Sequence, residues 1–65
     1  MKWLYNQYAN DGTEFIIFFD RGTHVLKHYD GDDDINGKTV TTGSYDKCHN
    51  RMMAEWAKIG EALIG

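Results

Sequence analysis

The segment Asp32-Asp33-Asp34-Ile35-Asn36-Gly37 is the sharpest local pattern in the chain. It sets oxygen-bearing side chains at alternate positions and a glycine at the sixth, as the first half of a calcium loop does. Asp32, Asp34 and Asn36 would be the ligands. The second half is missing: position twelve is Gly43, where a bidentate glutamate belongs, and the preceding residues pattern as a strand. A calcium site here needs a remote carboxylate to complete its shell. Without one, the segment is a solvated acidic loop that turns at Asn36-Gly37.

Two other groups of residues invite a chemical reading. His24 and His28 spell H-x-x-x-H, which on a helix lets two imidazoles share one metal. Their segment is short, bounded by glycines and β-branched at Thr23 and Val25, so it reads as a strand. On a strand, residues four apart are separated by about 13 Å, too far to share an ion. Cys48 and His49 are neighbours near a helix start. A lowered thiol pKa is conceivable there, and a thiol protein or enzyme subunit using Cys48 is the weakest of the functional alternatives. Adjacent helical residues point about 100° apart, so the two do not form a nucleophile–base pair. Cys48 also shares an apolar stripe with Met52 and Trp56, which makes it a small core residue.

No glycine-rich phosphate loop, serine elbow or paired-carboxylate arrangement stands out, so the expectation is no enzyme and no cofactor. Carboxylates in an exposed Asp run stay ionised, the wrong state for a general acid at neutral pH. A chain of 65 residues is also short for walling off a water-excluding cavity. Trp3, Tyr5, Tyr8 and Tyr29 could form a stacking platform for single-stranded RNA, but such platforms are rimmed by Lys and Arg. From Asn10 to Gly37 the acids are Asp11, Glu14, Asp20, Asp30, Asp32, Asp33 and Asp34, against Arg21 and Lys27 alone. The aromatics therefore read as core and cross-strand pairs.

The elements that carry these residues follow from periodicity. Lys2 to Ala9 reads as a first strand, Asn10-Asp11-Gly12 as a hairpin turn, and Glu14 to Asp20 as the strongest strand in the chain. Arg21-Gly22 is a second tight turn, and Thr23 to Tyr29 a third strand. Loops this short force antiparallel pairing. The acidic loop spans residues 30–37, and Lys38 to Thr42 makes a short fourth strand. Ser44 is an N-cap and Asp46 suits the first turn of a helix over about residues 45–63. Tyr45, Cys48, Met52, Trp56, Ile59 and Leu63 form its apolar face, which Met53, Ala57, Gly60 and Ile64 widen. Lys47, Arg51, Glu55, Lys58 and Glu61 fall on or near the other side, with Arg51 and Glu55 spaced to pair. The reading is a single α+β domain over residues 1–65: a three- to four-stranded antiparallel β-meander over about residues 2–42, then one C-terminal α-helix packed on one face.

That architecture leaves one sheet face without a helix. Alternation puts Phe15, Ile17 and Phe19 on one face of the second strand and Ile16 and Phe18 on the other. An antiparallel strand facing water on one side is ordinarily polar there. Either long neighbouring side chains, Lys27 and tyrosine among them, shield the spare face, or it meets a partner or a second copy in a homodimer. A domain this short buries only about 60% of its unfolded surface and gains from association.

The functional expectation is a small non-enzymatic protein-binding module, an inhibitor or adaptor. Its partner would be a protein with a basic surface. The candidate residues are Asp30, Asp32, Asp33 and Asp34 on the loop and Phe15, Ile16, Ile17, Phe18 and Phe19 on the sheet. Nucleic-acid mimicry, in which clustered carboxylates occupy a groove built for phosphates, is a variant that small phage or mobile-element inhibitors use. The alternative is a calcium-binding or calcium-stabilised module. A single cysteine argues for a reducing, cytoplasmic setting. No run approaches a membrane span, and the polar start is unlike a signal peptide. The net charge of −3 predicts no tight binding to random-sequence DNA or RNA at physiological salt, because the acidic middle of the chain would repel phosphate. A fluorescence-anisotropy titration checks this, and submicromolar binding would overturn it.

Overall fold

The computed structural model describes residues 2–8, 12–31 and 33–64. Asn10 and Asp11 of the first turn, Asp32 of the acidic loop, and the side chains of Trp3, Tyr8, Glu61, Leu63 and Ile64 lie outside what is described. The elements are β1 (Lys2–Tyr8), β2 (Glu14–Asp20), β3 (Thr23–Tyr29), β4 (Lys38–Gly43) and α1 (Tyr45–Ile64). The strands form one antiparallel sheet in the order β1-β2-β3-β4, followed by the C-terminal helix. The α+β meander-plus-helix architecture read from the sequence is the one observed, with the fourth strand present.

Turn chemistry fixes the register. Arg21 and Gly22 both have positive φ, 52° and 82°, the signature of a type I′ turn whose twist matches the flanking strands. This two-residue turn pairs Asp20 with Thr23, and so Ile17 with Leu26 and Ile16 with Lys27. Ser44 caps the helix: its Oγ accepts from Lys47 N at 3.1 Å, and its carbonyl accepts the first helical bond from Cys48 N at 3.1 Å.

The helix lies over β2, β3 and β4. Phe15, Ile17, Leu26, Cys48 and Met52 are all 0% exposed and form the core, with Tyr5, Val40, Trp56 and Ile59 packed around them. Val40 reaches this cluster because the β3–β4 register shifts between Leu26 and Lys27, where Thr39 pairs with Lys27 and Thr41 with Leu26. The unpaired residue of the bulge is thereby turned onto the core. Cys48 and Met52 form the centre of the helix face. Trp56 is half-buried beside them, and among the described residues its indole N–H is buried without an acceptor.

The neighbouring methionines provide a test of which helix face is buried. Met52→Ala should lose about 2–5 kcal/mol, the range for truncating a fully buried large side chain. Met53, 40% exposed, should tolerate the same change within about 0.5 kcal/mol. Urea denaturation of both variants measures the contrast, and equal losses would show that the helix is rotated from the face described.

Candidate partner-binding surface

The helix settles which face of β2 is spare. Phe15 and Ile17 are fully buried beneath it, and Phe19 stands at its edge, 41% exposed, with its ring 5.1 Å from that of His24. Phe15 and Ile17 are therefore core residues in this structure and do not present to a partner. The cause is cross-strand: their β3 neighbours are His28 and Leu26, which accept burial, whereas the neighbours of Ile16 and Phe18 are Lys27 and Val25. A lysine beneath the helix would place a charge in the core.

The open face carries Glu14, Ile16, Phe18 and Asp20 along β2, an apolar pair with a carboxylate at each end. Asn6 Nδ2 donates to Glu14 Oε2 at 2.9 Å. Ile16 and Phe18 are half-buried by their neighbours. The Lys27 ammonium sits 6.0 Å from the centroid of the Phe18 ring, and the Tyr29 ring meets Phe18 edge-on at 6.5 Å. Val25, small and central, is only 8% exposed. Shielding by Lys27 and Tyr29 is thus part of how this face is built.

The acidic loop is joined to the same side. Lys27 Nζ donates to the carbonyl of Asn36 at 3.3 Å. Gly37 has φ +67°, and a Cβ there would lie 2.7 Å from the Tyr29 ring, so both the left-handed backbone and the close approach require glycine. Asp34 organises the loop from within. Its Oδ2 accepts from Asp30 N at 3.0 Å and its Oδ1 from Gly37 N at 2.9 Å, while Asp34 N donates to Gly31 O at 3.1 Å. Burial holds the Tyr29 hydroxyl above its ordinary pKa, with Asp34 and Glu14 adding to the effect. Asp30 and Asp33 stand exposed on the same loop.

Asp34, one ligand of the calcium reading, has both carboxylate oxygens on backbone N–H groups; the Lys27 bond to Asn36 uses its main-chain carbonyl, not the side chain of that reading. Among the described residues, no three His, Cys, Asp or Glu side chains are grouped as a metal site. His24 and His28 share the helix-facing side of β3, as strand spacing requires. His28 stacks on Phe15 at 4.2 Å with its Nε2 2.7 Å from Thr13 Oγ1, while His24 lies between Phe19 and Tyr45. Burial pushes the Cys48 thiol up, the reverse of an activated nucleophile.

Sequence reasoning missed Glu14, Asp20 and Ile35 as members of this surface. Ile35 is 86% exposed at the loop, directly after the acidic run and before Asn36. The even-numbered alternation from residue 14 to 20 could have supplied the first two. Among the described residues, no helix is long and apolar enough to cross a membrane. No family model matches the chain, and neither the curated proteins nor the solved structures yield a match.

The backbone N–H of Asp30, then that of Gly37, holds the Asp34 carboxyl below its usual range. The ionised form is therefore favoured in the folded loop, and its stabilisation is full above the unfolded value of about 3.9 and lost as pH falls through the lower folded value. Asp34→Asn should lower the melting temperature at neutral pH. It should also flatten the decline that wild type shows below about pH 4. Identical acid limbs in the two proteins would remove Asp34 from its capping role.

Proposed function

We propose that this chain is a small protein-binding module that presents the acidic loop and the adjoining open sheet face to a partner protein bearing an apolar socket ringed by Lys and Arg. The observation that carries this reading is Ile35: an 86% exposed apolar side chain on a loop fixed by Asp34, Lys27 and Gly37. Solubility alone requires charge but no fixed geometry. A preorganised loop lowers the ordering cost of binding, an apolar anchor fills a pocket, and the surrounding carboxylates steer a basic partner. A second copy of this chain docking through the same face is a poorer fit, since it brings the same negative charge to the contact.

Three variants test the proposal. Ile35→Ser removes the anchor, Asp30→Asn with Asp33→Asn removes steering while sparing the Asp34 cap, and Met53→Ser on the helix is the control. Each is immobilised and exposed to extract of the source cells at low and high salt, and captured proteins are quantified. A genuine partner is held by wild type and Met53→Ser, is lost with Ile35→Ser, and associates about tenfold more slowly with the Asn variant at low salt only. Equal capture by all four proteins would sink the reading.

A further inference from the structure

On the helix side, α1 and the β3–β4 edge enclose a cleft of about 340 Å³, at the small end of the roughly 300–1,000 Å³ typical of small-molecule sites. It is independent of the partner-binding surface. Phe15, Val40 and Ile59 supply its apolar wall. The His28 ring lies parallel to Phe15, 8° off at 4.2 Å, and its Nε2 is held by Thr13 Oγ1, so one end of the cleft is flat and fixed.

The rim is cationic in a chain of net charge −3. Arg51 bonds Glu55 Oε1 through Nε at 2.9 Å, and Lys58 approaches the same oxygen at 3.8 Å. Glu55, the one carboxylate lining the cleft among the described residues, thus faces two cations, and the Arg51 hydrogen bond first of all holds its carboxyl below the usual range. Among the described residues, neither Nη group of Arg51 has a bond and Lys38 has no acidic partner. Of the seven basic residues of the chain, Lys38 and Arg51 line the cleft, and Lys58 draws on Glu55 from beside it. A guanidinium edge and an ammonium over an apolar wall match a carboxylate on a flat apolar body. Bare phosphate would use the charges and leave the wall wet.

We infer that this cleft binds a small aromatic monocarboxylate, its ring against Val40 and Ile59 and its carboxylate between Arg51 and Lys38. The test is a heteronuclear NMR titration of the full chain with 2-naphthoate, 2-naphthylmethanol and inorganic phosphate in parallel. Naphthoate should give saturable shifts centred on the Val40 and Ile59 methyls and the His28 ring. The neutral alcohol and phosphate should each bind at least about tenfold more weakly. Lys38→Gln should weaken naphthoate by about tenfold. Because Lys38 is exposed and ends no ion pair, that variant keeps the fold even if Arg51→Gln disturbs the helix. No saturable shift, an equal response to alcohol or phosphate, or unchanged affinity in Lys38→Gln would overturn the assignment.

Discussion

Strand β2 is apolar on both faces, Phe15 and Ile17 on one and Ile16 and Phe18 on the other, and the described residues supply one helix to cover them. The helix takes the face whose β3 neighbours are Leu26 and His28. The other face is covered only by what its own strands supply. Lys27 lays its stem across the sheet with its ammonium near the Phe18 ring, and Tyr29 meets the same ring edge-on. An amphipathic side chain can shield apolar surface while its head stays in water. The head of Lys27 then reaches the Asn36 carbonyl, so the shielding of β2 and the placement of the acidic loop are one arrangement.

The loop itself is a balance of like charge against oriented donors. Asp30, Asp33 and Asp34 would repel one another in a compact turn, the more so at low ionic strength. Asp34 offsets this by accepting from two backbone N–H groups, which favour the ionised carboxylate as a small anion nest does. The carboxylates of Asp30 and Asp33 remain outside that arrangement and exposed. One carboxylate of the run is therefore structural and its neighbours are free to act at a distance. A count of acids along the sequence does not separate these two roles, because they differ only in which oxygens the backbone reaches.

Strands β2 and β3 were legible to the residue because alternation, β-branched content and a two-residue turn agree there. The sequence even held the signal that decides the buried face. A two-residue turn at Arg21-Gly22 pairs Ile16 with Lys27, and a lysine opposite Ile16 keeps that face toward water. Reading β2 alone, without its register partner, leaves Phe15, Ile17 and Phe19 as candidates for the spare face. The bulge at Val40 was not legible, since KTVTTG contains no glycine or proline at the point where the register slips. Ile35 was hidden differently: a lone apolar residue at the end of an acidic run carries no periodicity, so only the folded loop shows that it stands out from the surface.

The two charged surfaces meet at Gly37. Its left-handed backbone passes flat against the Tyr29 ring on the open side. The chain then enters β4 with Lys38 opposite His28, on the helix side and at the rim of the cleft. One residue thus redirects the chain from carboxylates on one face of the sheet to cations on the other. A side chain at Gly37 would have to displace Tyr29, which contacts Phe18, and would disturb the start of β4, which positions Lys38. The separation of charge across the sheet is therefore not a property of composition. It follows from period-two alternation on either side of a single turn, held in register by a glycine that no other residue can replace without strain.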